Sequence, residues 1–378
     1  MISHADVERL CARQAVPGSP VLSVYLDVDQ SRAANLNRDF ETALHTRLRE
    51  LESEIPPEER DSFAADTARV LRFVAGYRPA ARGLMIFADE SEDLFWTGEL
   101  QAPLTTGVHW DDRPHIRPLL ELCDEYERYG VILVDKERAR VFTVFLGAIE
   151  EEREAVASAE VRHKNASGTD HLRSQMNFQR QDEMHVRWHL KTVAELTDEL
   201  ARAQTFDRLV LAGPVAATSE LQRLLPKRLR ARVVGTLRLP IDASLPDVLR
   251  ETLVLEQAAE RSLERERVEA LLTAAGKGDG GVVGLEATLE AVQERRVWRL
   301  LYSAGYESRG DECPRCGALF PSGRAQCGYC ASPLQPVDDL VERAIRRVAD
   351  GGGDVDQVHE AAATRLWDAG GIGAVLRF

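Results

Sequence analysis

Tyr129-Gly-Val-Ile-Leu-Val-Asp135, the turn Lys136-Glu137 and the return Ala139-Arg-Val-Phe-Thr-Val-Phe-Leu146 decide how this chain folds. Both runs are rich in β-branched and aromatic residues and are bounded by polar turns, so they read as a β-hairpin. Downstream comes an acidic stretch, Glu150 to Glu154, and then a polar segment without periodicity, Val161 to Gln181, which reads as a long loop. A helix follows, with Val186, Leu190, Val193, Thr197 and Leu200 on one face. Phe206 to Ala212 reads as a buried strand stopped by Gly213-Pro214, with a short helix at Leu221 to Leu225 and a strand at Arg232 to Leu239 after it. A hairpin followed by helix and strand in alternation implies a mixed sheet with helical crossovers.

The flanks read the same way. Upstream, Val21 to Val28, Gly83 to Ala88 and Asp93 to Thr97 are strands, and Asp39 to Glu54 and Pro57 to Ala75 have helical periodicity. Downstream, Asp242 or Ser244 can cap a long helix through Leu271, with Val248, Leu255, Ala259 and Leu263 near helical spacing. A glycine-rich turn, Gly276 to Gly281, separates it from a helix at Leu285 to Glu294, a strand at Val297 to Tyr302, a helix at Asp338 to Val348 and a final strand at Ile372 to Phe378. At 378 residues the chain is too long for one core. The expected fold is α/β in three domains: 1–125, 126–243 and 244–378.

Inside the third segment stand Cys313-Pro-Arg-Cys316 and Cys327-Gly-Tyr-Cys330. Two Cys-x-x-Cys turns can close a tetrahedron of thiolates around one structural Zn2+, with no position left for substrate or activated water. The expectation is a small zinc knuckle over residues 311–333, with Gly317 and Gly328 supplying the positive φ of its tight turns. A disulfide pair is the competing reading.

The net charge of -14 argues against a general affinity for nucleic acid or anionic membrane. No apolar run approaches the roughly 20 residues of a membrane helix, and Met1 to Pro20 does not read as a signal peptide, so a cytoplasmic protein without membrane contact is expected. Cys11 and Cys123 sit in no catalytic signature.

Other constellations dissolve on inspection. Gly276-Lys277 lacks the upstream glycine and the following Ser or Thr of a phosphate-binding loop. His185 and His189 share a helix face but lack a third ligand, which favours a pair facing solvent or RNA. Ser167, Asp170, His171 and Ser174 supply triad residue types on a loop, whereas triads need rigid support. The loop itself carries Arg162, Lys164, Arg173 and Arg180 against the single acid Asp170, a local inversion in an acidic chain. Such an arm suits RNA phosphates and base edges. Lys227-Arg228-Leu-Arg230-Ala-Arg232 is a second basic run that can grip phosphate.

Tyr129 to Asp135 with its returning strand, Leu209-Val-Leu-Ala-Gly-Pro214, Leu285 to Val292 and the tail Gly370-Gly-Ile-Gly-Ala-Val-Leu-Arg-Phe378 resemble the archaeo-eukaryotic class I release factor and Pelota superfamily over roughly residues 126 to 378. Val21 to Asp27 is similar to the bacterial members, which include the Balon-type ribosome hibernation factors. The resemblance implies a cytoplasmic factor that enters the ribosomal A site, monomeric off the ribosome. Its middle-domain loop would extend toward the peptidyl transferase centre, and its third domain would face elongation factor Tu or another translational GTPase. Release factors carry Gly-Gly-Gln at the loop tip, and this chain contains no Gly-Gly-Gln and no Asn-Ile-Lys-Ser. The resemblance therefore implies a non-catalytic ribosome-protecting factor, with Lys164, Asn165, Gly168, His171, Arg173, Gln175, Asn177, Arg228 and Arg230 on ribosomal RNA. The rival is a rescue factor that hydrolyses peptidyl-tRNA, with Gln175 or Gln179 positioning water beside Arg173 and Arg180.

Overall fold

The computed structural model describes the backbone of residues 4–13, 16, 19–156, 171–203 and 206–377. The chain divides into two compact units, one formed by Met1–Glu125 with Arg261–Phe378 and the other by Tyr126–Glu260. The first and third segments expected as separate domains thus lie in one unit.

The first unit begins with α1 (His4–Ala12), β1 (Val21–Asp27), α2 (Ala33–Leu36), α3 (Asp39–Glu52), α4 (Arg60–Gly76), β2 (Gly83–Asp89), β3 (Leu94–Leu100), β4 (Gly107–Asp111) and α5 (Arg117–Glu125). Its sheet runs β3-β2-β1-β4, antiparallel throughout. Alternate residues of β1 and β2, Leu22, Val24, Leu26, Leu84 and Ile86, pack on Phe40, Leu44 and Leu48 of α3 and on Phe63, Val70 and Val74 of α4.

The second unit comprises β5 (Tyr129–Val134), β6 (Arg138–Phe145), β7 (Ala148–Val156), α6 (His171–Ala203), β8 (Arg208–Ala212), α7 (Val215–Leu224), α8 (Lys227–Arg230), β9 (Val233–Leu237) and the part of α9 (Leu245–Lys277) up to Glu260. The sheet order is β7-β6-β5-β8-β9. β5 is antiparallel to β6, as the hairpin requires, and parallel to β8, reached through the crossover helix α6. The alternation of β5 feeds two cores: Ile132 and Val134 pack with Leu190, Val193 and Leu200 of α6, while Tyr129, Val131 and Leu133 pack with Val248 of α9. The α6 face read from the sequence is correct, with Leu190, Val193 and Thr197 fully buried. At Gly213 φ is +136°, and a Cβ would lie 2.0 Å from the Val134 carbonyl oxygen, so only glycine lets β8 end this close to β5.

The chain then returns to the first unit as the rest of α9, β10 (Gly281–Val283), α10 (Leu285–Gln293), β11 (Val297–Ser303), β12 (Gly310–Glu312), β13 (Leu319–Pro321), β14 (Gln335–Val337), α11 (Leu340–Asp350), β15 (Asp354–Val358), α12 (Glu360–Trp367) and β16 (Ile372–Leu376). The sheet β10-β16-β11-β15 is mixed, with β11 and β15 parallel. Leu300 and Tyr302 pack on Val341, Ile345 and Val348 of α11. Leu301 faces the opposite side, onto Val268 and Leu271 of α9 and Leu366 of α12.

Within this unit the segment 111–125 is bonded to the C-terminal part. Glu342 accepts from the Ile116 and Arg117 amides, at 3.3 and 3.0 Å. Arg117 bonds Asp339 at 3.2 Å, Arg343 bonds Asp111 at 2.6 Å, and Glu121 accepts from Tyr302 at 3.0 Å and from Gln357 at 2.8 Å. Backbone amides, guanidinium groups and a phenol thus satisfy carboxylates that burial would otherwise penalise.

Candidate functional site

The knuckle is built from two matching turns. Gly317 N–H donates to the Cys313 carbonyl at 2.7 Å and Ala331 N–H to the Cys327 carbonyl at 3.0 Å, while the Cys313 and Cys327 amides donate to Ala318 and Ser332 at 2.9 Å each. The residue after the second cysteine of each pair takes the left-handed conformation: Gly317 at φ 73° and Ala331 at φ 57°. Gly328 is not in that region, which corrects the expected role of that glycine; the equivalent position is held by an alanine. The four thiols are free, so the disulfide reading fails among these cysteines.

Cys313 Sγ lies 3.4 Å from Cys330 Sγ and Cys316 Sγ lies 3.5 Å from Cys327 Sγ, with all four sulfurs within 4.8 Å of one another. A zinc tetrahedron with Zn–S bonds of about 2.3 Å has edges of roughly 3.8 Å, so the donor set and its spacing are compatible with a zinc site. Cys313 and Cys327 are buried with Ala318 and Phe320, and Leu319 joins Leu289, Leu340 and Ala344 in a small adjoining core. Glu312, at the end of β12, takes Arg347 of α11 at 2.9 Å. Three short strands, ordered β13-β12-β14, frame the turns, where two turns alone were expected.

The basic arm divides differently from its sequence reading. Lys164, Asn165 and Gly168 lie outside the described residues, as do Ser167 and Asp170. His171, Arg173, Gln175, Asn177 and Gln179 belong to α6, not to a loop, because the helix starts at His171. Leu, Arg, Gln and Met are good helix formers, but 171–182 lacks an apolar stripe, so periodicity could not reveal it. The acidic run is likewise structured: β7 is the edge strand beside β6, with Glu152 bonded to Arg140 at 2.9 Å. Charge on an edge strand hides its β character while guarding it against further pairing.

His185 and His189 part company. His185 is exposed, whereas His189 is 4% exposed and its pKa is lowered by burial, so the solvent- or RNA-facing pair is not formed. Arg228 and Arg230 sit on the short α8, anchored by buried Leu229. Arg228 bonds Asp198 of α6 at 2.5 Å and Arg230 bonds the Leu225 carbonyl at 3.3 Å, and both remain on the surface.

Sequence reading missed the carboxylates that α9 buries. Glu256, Glu260 and Glu264, spaced four apart, are each 1% exposed, in line with Val248, Thr252 and Val268. Arg208 bonds Glu256, Glu260 and Glu127 in the second unit. Burial raises the pKa of Glu256 to about 7 against the pull of Arg208. In the first unit Glu264 accepts from the His359 amide at 3.0 Å, and Arg261 bonds both Glu264 and Glu125. Glu125, Glu264 and His359 converge as metal ligands do, but Arg261 already supplies their cation. The available signal was an i, i+4 line of glutamates continuing an apolar stripe.

Fold and site together define an α/β protein with a four-cysteine knuckle. Residues 114–260 match the family model described as bacterial archaeo-eukaryotic release factor family 10, a span that takes in α5 and the second unit. The chain is 24% identical to peptide chain release factor subunit 1 of Thermoplasma acidophilum, over 96% of this chain and 91% of that protein. Among solved structures, an archaeal translation termination factor, aRF1, aligns at 18% identity over 100% of this chain and 99% of its own, with a TM-score of 0.27. Dom34 of S. cerevisiae, described as a translation termination-like factor that interacts with Hbs1, aligns at 12% identity over 78% and 79%, with a TM-score of 0.43. TM-scores below 0.5 do not by themselves establish a shared arrangement. No helix among the described residues is long and apolar enough to cross a membrane.

Proposed function

We propose that this protein is a ribosome-associated factor that occupies the A site of idle or stalled ribosomes and protects their active centres. One observation carries the reading: the chain aligns with a release factor over 96% of its length yet contains no Gly-Gly-Gln. It keeps the relative's extent and lacks the tripeptide that positions the hydrolytic water. The basic arm and the start of α6, with Lys164, Asn165, Gly168, His171, Arg173, Gln175 and Asn177, contact ribosomal RNA, and Arg228 and Arg230 add phosphate contacts. Four converging thiols hold Zn2+ as a structural clip, and the C-terminal part around it meets a translational GTPase such as elongation factor Tu. In this reading the RNA contacts fall to the middle segment, 126–243, and the GTPase contact to the third, 244–378, most of which shares a compact unit with 1–125.

Co-sedimentation of the purified chain with vacant ribosomes tests the reading. Binding at low salt that weakens as salt rises is expected, and no binding at low salt would overturn it. The rival reading is peptidyl-tRNA hydrolysis on stalled large subunits. It requires release of labelled peptide that is lost on Gln175→Ala; the hibernation reading expects no release with either chain.

A further inference from the structure

Two large apolar side chains of the second unit stand exposed together on α6. Trp188 is 73% exposed and Met184 60%. With Arg187 and Lys191, both exposed, they occupy positions i, i+3, i+4 and i+7 of the helix, a single face turned away from the stripe of Leu190 and Val193 that packs on the sheet. Ordinary helical surfaces carry charge and small polar groups, and an indole left three-quarters in water beside two cations is an unusual group to leave uncovered.

The charge on this face decides what covers it. Arg187 has no ion pair among the described residues. Lys191 has only a loose i, i+4 contact with Glu195, at 3.7 Å, and keeps 70% of its side chain exposed. Glu183 and Glu195 are the nearby acids. In a chain of net charge -14, Arg187 and Lys191 on one helix face beside an open indole complement a polyanion that also offers flat rings. Unpaired RNA has both: bases that stack on indole or guanidinium planes and phosphates that take Arg and Lys. An acidic peptide would satisfy the cations but leave the indole without a flat partner.

We propose that the Met184, Arg187, Trp188 and Lys191 face of α6 binds unpaired RNA, with a base stacked on Trp188 and the flanking phosphates on Arg187 and Lys191. The site extends the ribosome-binding reading, on which it rests for the identity of the RNA. It places an anchor on the rigid body of α6, beyond the arm.

Two measurements on the full-length chain separate the two claims. In the first, affinity for vacant ribosomes is compared among wild type, Trp188→Ala, Trp188→Phe and Arg187→Ala. Trp188→Ala should weaken binding about ten-fold, Trp188→Phe should recover most of the loss, and Arg187→Ala should lower the salt slope by about one. Trp188 is solvent-exposed, so an unchanged melting curve for Trp188→Ala is expected and excludes misfolding. If wild type binds and Trp188→Ala binds equally well, the inference fails while the ribosome reading stands. If Trp188→Ala weakens binding but Arg187→Ala leaves the salt slope intact, a protein surface covers the face and the inference again fails. In the second, quenching of tryptophan fluorescence by a single-stranded oligoadenylate should be seen in wild type and lost in Trp188→Phe. Equal quenching in both chains overturns the inference even where ribosome binding itself is absent.

Discussion

Ala331 stands at φ 57°, where Gly317 stands at 73° in the matching turn of the knuckle. A left-handed residue with a Cβ is strained by roughly 1–2 kcal/mol, partly offset because alanine loses less chain entropy on folding than glycine. Ala331→Gly should therefore raise the melting temperature, with a net gain of about 0.5 kcal/mol by denaturant titration; a loss of similar size would show that the turn relaxes around alanine. Glu256 gives the opposite kind of single-residue effect. Its folded pKa, about 7, lies above the ordinary glutamate value of 4.5, so between those pH values the folded chain keeps a proton that the unfolded chain has released. Stability must then fall as pH rises through that window. Glu256→Gln removes this dependence, and the stability difference between wild type and variant should shrink by about 1 kcal/mol or more from pH 5 to pH 7.5. Parallel pH profiles for the two chains would mean that Glu256 stays ionised in the folded protein.

At the scale of elements, what the sequence revealed followed from apolar patterning and from chemistry with fixed spacing. β5 and β6 are apolar, the α6 face is a clean stripe from Leu190 to Leu200, and the four cysteines announce their own geometry. Elements that spend charge where patterning expects hydrocarbon escaped notice. β7 is an edge strand of glutamates, the first turns of α6 carry no sustained apolar stripe, and α9 buries three glutamates along a line that reads as solvent-facing. β15, Asp354-Val-Asp-Gln-Val358, hides its parallel pairing with β11 behind alternate polar residues that Arg299 and Asp124 satisfy. In α9 and β15 a charged partner distant in sequence, Arg208 for Glu256 and Arg299 for Asp356, makes the burial tolerable, and single-sequence patterning has no access to that partner. The knuckle is the element whose removal is easiest to interpret. Cys313→Ser with Cys316→Ser leaves two thiols, and we expect loss of about one equivalent of bound zinc, with a melting temperature lowered by several degrees, because structural zinc contributes directly to folding. An unchanged melting curve together with undiminished zinc would place the metal elsewhere.

For the molecule as a whole, the missing Gly-Gly-Gln and the nearly full-length relation to a release factor have to be reconciled. On the proposed reading, a chain that aligns with a release factor over 96% of its length without Gly-Gly-Gln fills the ribosomal A site, and its acidic charge limits indiscriminate RNA binding to local basic faces. On that reading those faces are Arg187 and Lys191 of α6 and the α8 arginines, both on the second unit. The most direct test is equilibrium binding of the full-length chain to ribosomes whose A site is either empty or filled with tRNA. The account predicts saturable binding to the empty ribosome and competitive loss when tRNA fills the A site; equal binding to both would contradict it.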